Sequence, residues 1–213
     1  MSDLLDNLVN ELGERLEPVK PLSHPVLRLL PFFAGVLAYV GAVVAVLGVR
    51  GDIAAKLHEG AFLFESGLVL SLSVVAAMAA SWLTIPDLRG QKWLLAVPFS
   101  LFAVFMFWIG AAAYDEGTHI PDDLYWHSCV TKDLLVGILP AVVMVFFSRA
   151  GGTTTHPLLS AAMNILFVGG AGWLALRVVC PNDTIAHTFF YHFMPFIFIG
   201  AVLGMLARRL YRW

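Results

Sequence analysis

Residues 94–113 read LLAVPFSLFAVFMFWIGAAA, and residues 114–133, which follow them directly, read YDEGTHIPDDLYWHSCVTKD. The first stretch carries no charged side chain, and an α-helix needs about 20 predominantly apolar residues to cross the hydrocarbon core of a bilayer. The second stretch is the longest polar interruption between the apolar runs of the chain. Together they predict a membrane-spanning helix that ends in an acidic loop outside the bilayer.

The rest of the chain repeats this alternation of apolar runs and polar interruptions. Hydrophobic residues make up 59% of the sequence and charged residues 13%, whereas a soluble domain contains about 25% charged residues. We therefore predict an all-α, polytopic membrane protein with six transmembrane helices. The six spans are expected at residues 29–49, 61–83, 94–113, 130–147, 158–176 and 188–206. They form a predicted membrane domain at 29–206, between an N-terminal segment at 1–28 and a basic tail at 207–213.

The distribution of basic residues between the loops predicts the orientation. One side of the predicted bundle collects nine of them and the other side four, and cytoplasmic loops carry the excess of Lys and Arg. The four are Arg50, Lys56, Lys132 and Arg177. Both termini are therefore expected in the cytoplasm, with residues 114–133 outside. The first 28 residues are polar, carry five acids and show no signal-peptide pattern.

Residues 2–17, SDLLDNLVNELGERLE, have the apolar periodicity of an amphipathic helix. Its polar face carries acids and a single base, Arg15, whereas helices that lie on a bilayer usually present Lys or Arg to anionic lipid. A helix on the bilayer is the alternative, but the pattern favours docking on a protein. The residues expected to bind that partner are Leu5, Leu8, Leu12, Asp6 and Glu11.

Two cysteines, Cys129 and Cys180, are the most reactive groups predicted outside the bilayer. Each precedes an inward-running span, the fourth and the sixth, so a disulfide or a transiently bound thiophilic metal ion would tie these two spans together. His127 and His187 could complete such a metal site. A purely structural bridge, two unpaired thiols and plain interfacial histidines are the alternatives. No resident cofactor is expected.

Motifs for catalysis do not occur in the sequence: there is no CxxC pair, nucleophile elbow, phosphate-binding loop or metalloprotease motif. The protein is therefore expected not to be an enzyme. A net charge of -2 gives no indication of direct binding to nucleic acid. Glu65 lies about one turn inside a predicted span, and we interpret it as reaching the outer interface rather than forming an ion site.

Four short motifs follow one another in a recognisable order: EPVKPL at 17–22, GVRGD at 48–52, CPND at 180–183, and an Arg-rich tail that ends in Trp213. With these motifs and its six spans, the chain resembles the NrsF-like negative regulators of sigma factor F, inner-membrane proteins of proteobacteria. The resemblance implies an anti-sigma factor that holds an extracytoplasmic-function sigma factor at the bacterial inner membrane. It also implies that Cys129 and Cys180 belong to signal reception, and we expect the signal to be a redox change or a heavy metal.

Two other classes of function stay open at this point. A small transporter or efflux component for a metal or an oxidant would need a polar path through the bilayer, and the predicted spans show little of one. A structural subunit of a larger membrane complex is the third possibility. An anti-sigma domain built on zinc is excluded, because no cluster of His and Cys lies on the side predicted to be cytoplasmic.

The predicted orientation is testable with reporter fusions. A fluorescent protein fused after Trp213 should fluoresce, and alkaline phosphatase fused there should be inactive, because both properties report a cytoplasmic C-terminus. A phosphatase inserted in the 114–133 loop should be active. The reverse pattern would overturn the assignment of the loop and of both cysteines to the outer side.

Overall fold

Six long helices account for most of the fold. The computed structural model describes residues 24–85, 93–117, 128–150 and 154–211, and within the N-terminal segment Leu5, Asn7, Val9, Asn10, Glu11 and Gly13. In this part of the chain six helices are long and apolar enough to cross a membrane, and no strand occurs. The first to sixth spans run over Pro25–Leu47, Gly60–Trp82, Trp93–Glu116, Ser128–Ala150, Pro157–Val179 and Ile185–Tyr211. The predicted all-α, polytopic fold is confirmed, while the cytoplasmic location of the termini and the domain limits stay predictions.

The ends of the helices differ from the ends of the apolar runs that predicted them. The third span continues to Glu116 and the fourth begins at Ser128, because helical hydrogen bonding extends past the apolar core into the polar interface. The first span instead stops early, at Leu47. Gly48 follows it with a φ of 84°, the left-handed conformation in which helices commonly end and which glycine adopts without steric penalty.

The connection between the first and second spans folds back onto the bundle. It contains a one-turn helix at Ile53–Lys56. The backbone N–H of Arg50 donates to the carbonyl of Val178 at 2.9 Å, close to the end of the fifth span. This connection and the turn between the fifth and sixth spans therefore lie at the same end of the bundle.

The fifth span is the centre of the bundle. In its most apolar stretch 56% of the residues are buried, against 17% in the third and sixth spans. Gly170 approaches Ser73 of the second span so closely that a Cβ atom would have no room. Such close approach through small residues is how membrane helices pack, because lipid provides no hydrophobic driving force between them.

Glycines of two spans form a socket for Phe196 of the sixth span. A Cβ added at Gly137, in the fourth span, would come within 2.6 Å of the phenyl ring, and one at Gly172, in the fifth span, would come closer still. A Cβ at Gly169 would make ordinary contact at 3.5 Å. The Phe196 ring therefore joins the fourth, fifth and sixth spans at one point.

The sixth span is not a uniform α-helix. It begins as α-helix over Ile185–Thr188, widens to a π-helical turn over Phe189–Phe193 and continues as α-helix over Met194–Tyr211. Pro195 is the second residue after the wide turn, and a proline has no backbone N–H to donate and clashes with the carbonyl four residues earlier, which here belongs to the turn. The π turn accommodates this defect, as it commonly does in membrane helices.

The far end of the sixth span is tied to the start of the fifth. Tyr211 is 1% exposed, its backbone carbonyl accepts a hydrogen bond from the Thr154 N–H at 3.0 Å, and its hydroxyl accepts one from the Asn164 amide at 2.8 Å. Asn164 lies near the start of the fifth span and Cys180 follows its end, so these contacts lie at the end of the bundle opposite Cys180.

The glycine socket leads to a testable prediction about stability. Gly172→Ala should destabilise the protein by about 1–3 kcal/mol, the usual penalty for overpacking. Gly110→Ala is the matched control, because a Cβ there meets nothing within 4 Å, and it should be neutral or stabilise by up to about 1 kcal/mol. Thermal unfolding of the detergent-solubilised proteins would compare them. Equal melting temperatures would show that the socket is not close-packed.

Candidate functional site

The fifth span ends in the turn that carries Cys180. The Cys180 N–H still donates to the Leu176 carbonyl at 2.7 Å, but its own backbone is extended, with φ -90° and ψ 125°. Pro181 accounts for this, because the residue before a proline is pushed out of the helical region. Asn182 then closes the turn, since its side-chain oxygen accepts hydrogen bonds from the Thr184 N–H and hydroxyl at 3.0 and 2.9 Å.

Cys180 thus belongs to the end of the fifth span, whereas the sequence analysis assigned it to the entrance of the sixth. The sixth span begins at Ile185, whose N–H donates to a carboxylate oxygen of Glu116 at 2.8 Å. A carboxylate in this position stabilises a helix N-terminus. A bond between the two cysteines would therefore tie the fourth span to the fifth. It would constrain the sixth span only indirectly, through the turn that joins the fifth span to the sixth.

The structure brings together the two cysteines that the sequence singled out. Cys129 lies in the first turn of the fourth span, and its Sγ is 3.7 Å from the Sγ of Cys180. Each residue is 4% exposed. The bond length of a disulfide is about 2.0 Å, so the two sulfurs are not bonded to each other here. They would have to approach by about 1.7 Å to form a bond.

Two histidines of the sixth span complete a buried group of four potential ligands, which we call the thiol cluster: Cys129, Cys180, His187 and His192. The Nε2 atom of His187 lies 3.5 Å from the Sγ of Cys180. The ligand atoms of all four residues lie within 4.8 Å of one another. In a tetrahedral zinc site the ligand atoms are about 3.3–3.8 Å apart. The cluster would therefore need only a small contraction to hold one thiophilic ion.

His192 is a potential ligand that was not predicted from the sequence. It is 1% exposed, and in the described part of the chain neither ring nitrogen has a hydrogen-bond partner. In an α-helix, residues five apart point about 140° away from each other, which separates His192 from His187. The π turn between them brings both to one face. The predicted ligand His127 lies outside the described residues.

The environment of Cys180 favours its thiolate. The contact with the Cys129 thiol lowers the pKa of Cys180 most, burial acts in the opposite direction, and the nearness of His187 and His192 lowers it further. The net direction is downward. A thiolate is the form of cysteine that binds metals and attacks oxidised sulfur.

An ion-pair network lies beside the Cys180 turn. The Arg50 side chain is fully buried and forks between two carboxylates. It donates to Asp52 at 2.6 and 2.8 Å and to Asp183 at 2.8 and 2.8 Å. The Lys56 ammonium lies 3.0 Å from the Asp183 carboxylate, and Arg177 also donates to this carboxylate. Bidentate Arg–carboxylate pairs are among the strongest hydrogen-bonded contacts in proteins.

The network holds its groups in their charged forms. Burial alone would raise the pKa of Asp183, yet hydrogen bonds from Arg50 and Lys56, with the charge of Arg177, hold it well below its usual range. Hydrogen bonds to Asp183 and Asp52 raise the pKa of Arg50. The hydrogen bond from Arg50 lowers the pKa of Asp52. These groups are therefore charged together at neutral pH.

Glu65, predicted to reach the outer interface, is buried against the fifth span. It is 7% exposed, and its carboxylate accepts a hydrogen bond from the Trp173 indole at 2.8 Å. The Nε of Arg177 lies 2.9 Å from the same carboxylate. Both partners come from the fifth span, so Glu65 extends the ion-pair network inward and ties the second span to the fifth.

Asp133 is a second buried acid near the thiol cluster. Its position falls in both the predicted acidic loop, 114–133, and the predicted fourth span, 130–147. The structure places it inside the fourth span, one turn after Cys129 and on the same helix face. It is 0% exposed, and neither carboxylate oxygen has a hydrogen-bond partner among the described residues. Acids inside membrane spans are costly to bury and mark functional positions by default.

The described residues of the N-terminal segment are helical and exposed. Leu5 and Val9, which lie four residues apart and hence on one face, are 59% and 64% exposed. Glu11 is also helical and exposed. Leu8, Leu12 and Asp6 lie outside the described residues. Helix formation thus agrees with the predicted amphipathic pattern at the positions described, and the apolar face there is not covered by the bundle.

Comparison with known proteins identifies the family. The model of the family described as "NrsF: Negative regulator of sigma F" matches residues 12–213. No curated protein and no solved structure matches the chain. The match spans all six membrane helices, both cysteines and the ion-pair network. The chain therefore belongs to the NrsF family of negative regulators of sigma F.

Proposed function

We propose that this protein is an anti-sigma factor of the bacterial inner membrane. It sequesters an extracytoplasmic-function sigma factor and releases it when a redox or heavy-metal signal reaches Cys129 and Cys180 from the periplasm. The family supports a sigma-factor partner, and the six spans support a multi-pass protein embedded in lipid. The partner is a protein, and contact with nucleic acid and catalysis have no part in the proposal.

The observation that carries the proposal is the thiol cluster. Two cysteines from different spans lie 3.7 Å apart, and two histidines of a third span surround them. A disulfide would require only the sulfurs, whereas a mixed set of thiolate and imidazole ligands suits a thiophilic ion such as Zn²⁺ or Cu⁺. The two histidines therefore favour metal binding as the primary signal, with oxidation of the same thiols as the second route.

The packing of the sixth span provides a path to the opposite end of the bundle. A ligand that contracts the cluster would pull on His187 and His192, and Phe196 lies one turn further along the span in the glycine socket. At the far end, Ala207 and Tyr211 pack against the fifth span. A bias of about 2.8 kcal/mol changes a two-state equilibrium a hundredfold, which is enough to release a partner bound there.

The cluster is tested by substitution in cells that carry a reporter for the sigma-factor-dependent promoter. Cys129→Ser and Cys180→Ser should be as abundant as wild type and locked in one signalling state, and the double variant should be no worse than either single one. His192→Gln should raise the concentration of Zn²⁺ or Cu⁺ that gives half-maximal induction by at least about tenfold. It should leave the response to the thiol oxidant diamide intact.

The control for the histidine is His58→Gln, because His58 is exposed in the connection between the first and second spans. It should respond like wild type to both inducers. A structural bridge would behave differently: the cysteine variants would be scarce, and the remaining protein would still respond. Abundant single cysteine variants with a normal response to metal and oxidant would show that the cluster is not the sensor.

The exposed N-terminal helix is the proposed docking surface for the sigma factor. Its apolar face is open at Leu5 and Val9, and the acids of the segment would complement a basic partner. A helix that inserts its apolar face into a groove is a common mode of recognition. Leu8, Leu12, Asp6 and Glu11 complete the proposed surface.

Replacing Leu5, Leu8 and Leu12 by Ser should release the sigma factor without affecting membrane insertion. Each buried leucine contributes about 1.5–3 kcal/mol, so the affinity should fall by at least about a thousandfold and the promoter should become constitutively active. Asn7→Ser with Asn10→Ser, on the same helix, is the matched control and should repress normally. Full repression by the leucine variant would place the docking site elsewhere.

A further inference from the structure

The GVRGD motif at 48–52 and the CPND motif at 180–183 lie 128 or more residues apart in the chain, yet Arg50 joins them. We infer that Arg50 is a positioning residue that holds the Cys180 turn in the geometry in which its thiol meets Cys129. The connection between the first and second spans is then part of the sensor. This inference rests on the proposed function for its consequence in signalling, but not for its geometry.

Arg50 binds the chain on both sides of Cys180. Before the cysteine, its backbone N–H donates to the Val178 carbonyl at 2.9 Å. After the cysteine, its guanidinium donates to the Pro181 carbonyl at 3.2 Å and to both oxygens of Asp183 at 2.8 Å. Three anchor points within six residues leave the Cys180 turn little freedom to move without breaking hydrogen bonds.

The guanidinium is itself oriented from the opposite side by Asp52. The carboxylate of Asp52 accepts from Nε and Nη2 of Arg50, so the fork cannot rotate away from Asp183 and Pro181. A lysine would supply the charge but not this planar arrangement of donors. The identity of the arginine, and not only its charge, is therefore required for the position of the turn.

The network is built so that loss of Arg50 should loosen the turn without unfolding the protein. Asp183 would still have Lys56 at 3.0 Å and Arg177 as partners. The side chain of Asp52 is 48% exposed and can be solvated by water. A substitution in an ion pair is severely destabilising when it leaves a buried charge without a partner. Arg50→Gln leaves no such charge.

The geometry can be measured through the chemistry of the thiols. Diamide oxidises two nearby thiols to a disulfide: the two sulfurs lose two electrons and two protons, and the diazene is reduced to its hydrazine. Isolated membranes that contain the full chain are treated with diamide, and the thiols that remain are alkylated with a reagent that slows migration on a gel. The loss of this mobility shift with time gives the rate of disulfide formation between Cys129 and Cys180, which we call the closure rate. Dividing the amount of disulfide-linked protein by the total amount of the protein removes any effect of abundance.

We expect Arg50→Gln to slow closure about tenfold per molecule, and Arg50→Lys to give an intermediate rate. Asp183→Asn should resemble Arg50→Gln, because it removes the charge that the guanidinium binds. Glu59→Gln is the matched control: Glu59 lies in the same connection, contacts Lys56 at 2.9 Å and is half exposed. It should close at the wild-type rate. In cells, the diamide dose for half-maximal induction should rise in the same order.

Wild-type closure rates in both Arg50 variants would overturn the inference. So would a loss of abundance with an unchanged rate in the protein that remains, since this would show a purely stabilising role. If closure slows but the Cys129→Ser protein still signals normally, the positioning role stands and the cysteine-sensor proposal fails. The rate of closure and the reporter therefore test the two proposals separately.

Discussion

Within the hydrocarbon core every backbone N–H and C=O must be hydrogen-bonded inside the chain. Irregular backbone therefore needs polar groups nearby to complete its hydrogen bonds. Three departures from regular α-helix, at Gly48, Cys180 and Phe189–Phe193, lie towards one end of the bundle. Side chains compensate for them there. Glu116 accepts from the N-terminus of the sixth span, and Arg50 donates to the Pro181 carbonyl. The polar groups that compensate for these three departures thus gather around the two thiols.

The fifth span connects this end of the bundle to the other. It carries Cys180 at one terminus and contacts Tyr211 near the other. Between them its glycines accept the Phe196 ring and the second span at close range. A close-packed interface of this kind does not deform gradually, because rearrangement requires side chains to leave one set of contacts for another. A shift at the thiol cluster would therefore reach the far end as a change between discrete packings.

Much of the fold could be predicted from the sequence, because the length and composition of each apolar run are dictated by the bilayer. The pairing of Cys129 with Cys180 was also predictable, since both residues stand at polar interruptions on the same side. His192 could not be found by helical periodicity, because the π turn changes the period locally. Nor could most partners of Glu65 and Asp183 be found. Those of Glu65 come from another span, and Arg50 and Lys56 reach Asp183 from a distant connection, so no spacing along the chain predicts these contacts.

The thiol cluster and the ion-pair network differ in what they can respond to. The pKa of Asp183 is lowered in the folded protein, so its contribution to stability is fully present above the ordinary aspartate pKa of about 3.9 and is lost only as the pH falls towards the lowered value. The network is therefore constant across the neutral and mildly acidic range. In the proposed function the thiols beside it would instead exchange protons for a metal ion, or lose electrons to an oxidant, at neutral pH. A turn held by groups that stay charged across this range would keep Cys180 in place during such a reaction, so in the proposed function the chemistry of the cysteines alone would set the response.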